Sequence, residues 1–115
     1  MTLTEFAVAL DKTEVPAGSV TFEVTNDGPA DLHEFVVIQT DLDAGALPVD
    51  SNGMVDEAGG GMEVKDEIED IAVGSSESLT LDLAAGSYVL ICNTYTAEEN
   101  EAHYTEGMRA AFTVN

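Results

Sequence analysis

Positive charge is scarce in this sequence. Three Lys and Arg stand against 23 Asp and Glu among 115 residues, a formal net charge of −20. Such a surface repels phosphate backbones and anionic headgroups, which excludes nucleic acid and acidic lipid as partners. A protein partner would have to present a basic face. The acidity also has a plainer reading, solubility in high salt, where screening over about 3 Å suppresses self-repulsion.

Cysteine is scarcer still. A lone Cys92 excludes an internal disulfide and leaves that residue as either an inert core thiol or a ligand. Long apolar runs are lacking too. Nothing approaches the roughly 18 residues needed to cross a bilayer, so membrane insertion by this chain is not expected. Met1 to Leu10 has neither the basic start nor the continuous apolar stretch of an export signal, so an exported form would need a leader lying outside these residues.

What is present is 44% hydrophobic residues, enough for one core, and a single domain over residues 1–115 is expected. Apolar residues alternate in Phe6, Val8 and Leu10, and again in Val20, Phe22 and Val24, with Pro16-Ala17-Gly18 as the turn between two half-buried strands. Asn26-Asp27-Gly28-Pro29 closes the second with turn-forming residues. His33 to Thr40 is continuously β-branched and aromatic, as in a strand buried on both faces, and His33 stands at its entrance. Asp41 to Gly61 reads as loop. Glu63 to Val73 fits either a short helix or a strand, and strand is the reading adopted. Leu79, Leu81 and Leu83 alternate, Tyr88, Leu90 and Cys92 share one face of the next strand, and Phe112 and Val114 share a face of the last. About seven or eight short strands with turns between them, and no long helix, predict an all-β fold, an antiparallel Greek-key β-sandwich.

The chain's two His and its Cys all fall where strands meet loops, and a Met follows in the last loop. Taken singly, His33 reads as a strand-end histidine, Cys92 as a core thiol and Met108 as packing. Together, His33, Cys92, His103 and Met108 form the donor set of type 1 copper. Thiolate and thioether suit Cu(I), imidazole suits both oxidation states, and a compromise geometry lets the metal change charge with little rearrangement.

At these residues the sequence resembles the cupredoxins, the plastocyanin and azurin family. Gly86-Ser87-Tyr88-Val89-Leu90-Ile91-Cys92-Asn93, then His103-Tyr104-Thr105-Glu106-Gly107-Met108 and Phe112-Thr113-Val114, resemble the family's last two strands and ligand loop. Upstream, Gly18 to Asn26 and Asp31 to Val37 resemble the approach to its first ligand. The resemblance implies His33 and His103 as imidazole ligands, Cys92 as thiolate and Met108 as axial thioether of one copper ion. It implies electron transfer by Cu(I)/Cu(II) cycling between redox partners, without enzyme turnover, in a monomer at a periplasmic, extracellular or cell-surface location. Copper carriage or storage, and a domain of a larger oxidoreductase, are the alternative readings.

Two features depart from the family pattern. Ten residues, Asn93 to Ala102, separate Cys92 from His103 where the family has only a few, and Glu34 follows the first His where Asn is common. The long loop carries Glu98, Glu99 and Glu101, which are expected to favour protonation of His103, and His103 is expected to be the exit for the electron. Tyr88, Tyr95 and Tyr104 read as packing, the last two also as candidates for lining a route to the metal. Asp66, Glu67, Glu69 and Asp70 read as a solvated face.

Overall fold

A computed structural model describes residues 1–96 and 99–115. In chain order the strands are β1 (Thr2–Thr4), β2 (Ala7–Ala9), β3 (Glu14–Val15), β4 (Gly18–Gly28), β5 (His33–Thr40), β6 (Met62–Ile71), β7 (Ser76–Leu83), β8 (Gly86–Ile91), β9 (Tyr95–Thr96), β10 (Glu101–Ala102) and β11 (Arg109–Val114), with one helical turn, α1 (His103–Glu106), before β11. The ambiguous segment is a strand, β6. The eleven strands among the described residues are more than the seven or eight expected, because β1, β2, β3, β9 and β10 have two or three residues each, too few to show a period in sequence.

Two sheets face each other, one in the order β2-β1-β4-β7 and the other β3-β11-β8-β5-β6. The long pairs are antiparallel: Phe22 opposes Leu79, Val37 opposes Leu90, and Tyr88 opposes Phe112. Two short pairings are parallel, β1 on β4 and β3 on β11. The antiparallel expectation therefore holds for the body of the sandwich and fails at its edges. Phe6, Val8 and Leu10 do not lie on one strand either. The chain reverses at Glu5 and Phe6, so that β2 returns along β1 with Val8 opposite Leu3.

Leu3, Val20, Phe22, Val24 and Leu83 from one sheet meet Phe35, Val37, Tyr88, Leu90, Phe112 and Val114 from the other. Phe22 bridges the layers, its ring 5.3 Å from Phe35 and 5.6 Å from Phe112. A second apolar cluster, Val36, Ile38, Val89 and Ile91, lies on the outer face of β5 and β8, covered by Leu47, Val55 and Tyr104. The Asp41–Gly61 excursion is thus a packed cover, and it explains why β5 is apolar on both faces. Gly59 is tight within it: a Cβ there would sit 2.8 Å from Pro48 and 2.9 Å from the Asp56 carbonyl.

Candidate metal centre

The four residues singled out in the sequence converge at one end of the sandwich. His33 opens β5, Cys92 follows β8, His103 opens α1, and Met108 lies between α1 and β11. All four side chains are fully buried. His33 shares the inner face of β5 with Phe35 and Val37, whose burial fixes the strand's register and so aims the imidazole between the sheets. The β5–β6 ladder shifts register between His33 and Phe35, a bulge of the kind that re-aims side chains next to sites.

Backbone hydrogen bonds lace the ligand loop together. Cys92 N–H donates to the Met108 carbonyl (3.1 Å), Met108 N–H to the His103 carbonyl (3.0 Å), and His103 N–H to the Thr94 carbonyl (2.9 Å). Within the loop, β9 pairs with β10, Tyr95 opposite Ala102 and Thr96 opposite Glu101. The extra length leaves and returns at one place, which brings His103 Nδ1 to 3.7 Å from Cys92 Sγ. Tyr104 anchors the helical turn: its hydroxyl donates to the Ala44 carbonyl and accepts from Leu47 N–H, and Arg109 lies over its ring. It is therefore packing in the outer cluster. The Tyr95 hydroxyl bonds Asn100 in the hairpin.

Three donor atoms form a small triangle. Nδ1 of His33 and Nδ1 of His103 are 3.2 Å apart, and Cys92 Sγ lies 3.6 Å and 3.7 Å from them. The point equidistant from all three is about 2.0 Å from each, and a point slightly out of their plane lies about 2.0 Å from both nitrogens and about 2.3 Å from the sulfur, the usual lengths of first-row metal bonds to imidazole and thiolate. The triangle therefore fits one such ion. The soft sulfur beside two imidazoles fits copper.

Electrostatics keep the donors ready. Burial holds both imidazoles below their ordinary pKa, outweighing Glu5 and Asp31 at His33, and Asp31, Glu5, Glu106 and Glu99 at His103. Neutral rings are the ligating form. Of the loop carboxylates Glu99 does favour a charged His103, as expected, but burial outweighs it in the copper-free protein, and Glu98 lies outside the described residues. Burial pushes the Cys92 thiol up, opposed by the Thr94 hydroxyl 3.3 Å from Sγ and by Glu34 N–H donating to Sγ at 3.2 Å. Those two groups would stabilise a thiolate once a metal takes the proton's place.

The outer ends of the rings are also covered. His103 Nε2 has the Thr96 hydroxyl at 2.9 Å and an Asp31 carboxylate oxygen at 3.4 Å, and the Phe6 ring stands edge-on to the imidazole at 5.1 Å. His103 is fully buried, with the reversal at Glu5-Phe6 and the β9–β10 hairpin lying over its ring. Sequence reasoning also missed Glu5, Phe6, Asp31, Thr94 and Thr96. Thr94 and Asp31 stand two residues from a ligand, which is a usable signal. Glu5 and Phe6 carry none, because the chain reversal that delivers them is not marked by Gly or Pro.

On the outer side of β5, Glu34 clusters with Glu67 and Glu69. Partial burial, then the charges of Glu67, Glu57, Glu69 and Asp70, push Glu34 up to about 7. Burial, then Glu69, pushes Glu67 to about 6. This face is more crowded than a merely solvated one. An acid whose folded pKa is raised binds its proton more tightly in the folded state, so ionising it costs stability as pH rises from 4.5 towards about 7. Glu34→Gln in copper-free protein should therefore raise stability by about 1 kcal/mol near pH 8, after allowance for solvent screening, with no gain near pH 4.5. Thermal unfolding at the two pH values checks it, and an equal shift at both would refute the crowding argument.

No family model and no curated protein matches the sequence. Solved structures do. Reduced auracyanin from the photosynthetic bacterium Roseiflexus castenholzii is 28% identical over 99% of this chain and 96% of that one, with a TM-score of 0.63. Auracyanin A of Chloroflexus aurantiacus, a blue copper protein, is 19% identical over 100% and 97%, with a TM-score of 0.60. Rusticyanin from Thiobacillus ferrooxidans is 18% identical over 99% and 77%, with a TM-score of 0.54. The resemblance read from the ligand segments thus extends to three dimensions, and the chain has the cupredoxin fold of the blue copper proteins from its first strand to its last.

Proposed function

We propose that this chain is a type 1 copper protein that carries single electrons, with His33 Nδ1, His103 Nδ1 and Cys92 Sγ as the strong ligands and Met108 as the axial thioether. The observation that carries the reading is the buried triangle of two imidazole nitrogens and one sulfur, of a size for one first-row ion. Bound copper would supply a one-electron Cu(I)/Cu(II) couple. The protein's part is to hold the donors where both oxidation states are tolerated, to exclude water by burying them, and to stabilise the sulfur with Glu34 N–H and Thr94. Cu(II) titration followed by visible absorption and electron paramagnetic resonance tests it. An intense thiolate-to-copper band with narrow copper hyperfine splitting is expected, and a colourless product with an ordinary tetragonal signal would overturn it.

Full burial of both imidazoles favours electron carriage over delivery of the ion, since handing on copper requires a ligand that a partner can reach and displace. Electrons would pass through the thin cover over His103, where Phe6 is half-buried and touches the ring. A redox partner with a basic face suits the net charge of −20 and the crowded carboxylates beside Cys92. A location outside the cytoplasm, periplasmic, extracellular or at the cell surface, is the one the family resemblance suggests for such a carrier. No helix among the described residues is long and apolar enough to cross a membrane.

Met108 is fully buried, and its backbone bonds both Cys92 and His103. Met108→Leu should raise the reduction potential, because losing the thioether favours Cu(I), and Met108→Gln should lower it, because a harder oxygen favours Cu(II). Shifts of about 60 mV or more in opposite directions are expected by voltammetry, equal to a tenfold change in a one-electron equilibrium. Equal potentials in all three proteins would reduce Met108 to core packing.

A further inference from the structure

Behind His33 lies a second pair of groups that the ligand triangle does not use. His33 Nε2, on the ring's far side from Cys92, is buried and has no hydrogen-bond partner. The carboxylate of Glu5 comes within 3.8 Å of it, too far for a hydrogen bond, and the other Glu5 oxygen is likewise buried without a partner. The oxygen nearest Nε2 is the one that accepts the Ala30 and Asp31 amides, and the unpartnered oxygen belongs to the same carboxylate, so a ring nitrogen that can donate faces a carboxylate with unused capacity to accept. Buried polar atoms are rarely left so, and unmatched neighbours of opposite hydrogen-bonding character point to a shared role.

Glu5 is not there by accident of a loose surface chain. It sits in the reversal between β1 and β2, its side chain only 11% exposed, and one carboxylate oxygen accepts the backbone N–H groups of Ala30 (3.2 Å) and Asp31. That ties the N-terminal reversal to the segment leading into His33. The arrangement differs from the one at His103, whose Nε2 already has the Thr96 hydroxyl at 2.9 Å.

We propose that Glu5 is the positioning residue of the metal centre: its carboxylate, held by the Ala30 and Asp31 amides, faces the Nε2–H of His33, orients that ring electrostatically with Nδ1 free for the metal, and biases the centre towards Cu(II). The inference rests on the copper reading above. Two physical effects give its direction. A ring nitrogen bearing hydrogen and facing a carboxylate leaves the opposite nitrogen as the only lone pair, and raises its basicity. A fixed negative charge in a water-poor site also favours the more positive oxidation state, so it lowers the reduction potential.

The test is Glu5→Gln in the full copper-loaded chain. Glutamine keeps an oxygen for the Ala30 and Asp31 amides but removes the charge, so it separates positioning of His33 from anchoring of the loop. The reduction potential should rise by an amount equal to at least a tenfold change in the one-electron equilibrium, about 59 mV, while the intense visible band remains. Pulsed electron paramagnetic resonance of the remote ring nitrogens should show one imidazole changed and the other not. Only two histidines are present, so isotope labelling assigns them readily. An unmoved potential, or unmoved remote-nitrogen couplings, overturns the proposal.

Should the variant fail to fold, the parent protein gives the answer by itself. In its Cu(I) form, nitrogen NMR should find His33 protonated at Nε2, with a ring proton that exchanges slowly. A rapidly exchanging proton there overturns the proposal. Absence of the visible band in the parent would instead defeat the copper assignment, and the two failures are thereby distinct.

Discussion

Cys92→Ser is expected to abolish the intense visible band, lowering absorption at least about tenfold, and to leave the sandwich folded. The first half follows from the donor: a hydroxyl binds Cu(II) without the low-energy charge transfer of a thiolate, and it does not ionise near neutral pH. The second follows from the surroundings. Cys92 lies just beyond β8, whose pairing with β5 and β11 uses backbone groups, so the ladder does not need the sulfur. Glu34 N–H and the Thr94 hydroxyl, which face Sγ, can both serve a serine hydroxyl, so no buried polar group is orphaned. The cost is a small void among Phe35, Met108 and their neighbours, about 1 kcal/mol. Absorption spectra of copper-loaded protein and thermal unfolding of copper-free protein check the two halves separately. A serine variant that stays intensely coloured removes Cys92 from the site.

The strand with both faces apolar, His33 to Thr40, could be read from sequence because its environment is uniform: one face meets the opposite sheet and the other meets the 41–61 cover. Tyr88, Leu90 and Cys92 alternate with Val89 and Ile91 in the same way, so the strand that delivers the thiol was legible together with its register. The candidate donors themselves were legible through scarcity. With two His and one Cys in the chain, their positions at strand ends left few other combinations.

What stayed hidden depends on contacts between residues far apart in the chain. Nothing around Phe6 shows that its ring will meet His103, nor anything around Glu5 that it will face His33, because a three-residue strand carries no period and the reversal after it has no glycine. The burial of His103 depends on that reversal and on a hairpin folded from the long loop, and loop closure itself costs too little to leave a compositional mark. Asn26 is an intermediate case. As part of Asn-Asp-Gly-Pro it reads as a turn former, yet it continues the spacing of Val20, Phe22 and Val24 and stands on the inner face of β4, which runs on to Gly28.

That position makes Asn26→Ala the most damaging single change expected away from the ligands. The side chain is fully buried and uses its hydrogen-bonding capacity in three directions. Its Nδ2 donates to the Asp31 carbonyl at 2.9 Å and to the Ile71 carbonyl at 2.8 Å, while its Oδ1 accepts the Gly28 N–H at 2.8 Å. One residue thereby joins the end of β4, the end of β6 and the segment entering His33. Alanine leaves two carbonyls and one N–H without partners, and only the Asp31 carbonyl is near enough to solvent to recover one. With about 1–3 kcal/mol lost for each buried group left unmatched, a total loss of about 3 kcal/mol is expected, or a fall in Tm on the order of 10 °C. Asn26→Asp is the informative companion, since it keeps the acceptor for Gly28 but loses both donors and adds a buried charge. It should be no more stable than alanine above pH 5 or so, and should recover in part on acidification, when a protonated carboxyl regains one donor. Denaturant unfolding with an unchanged slope measures both. A loss below about 1 kcal/mol for alanine would mean that water, and not Asn26, satisfies these carbonyls.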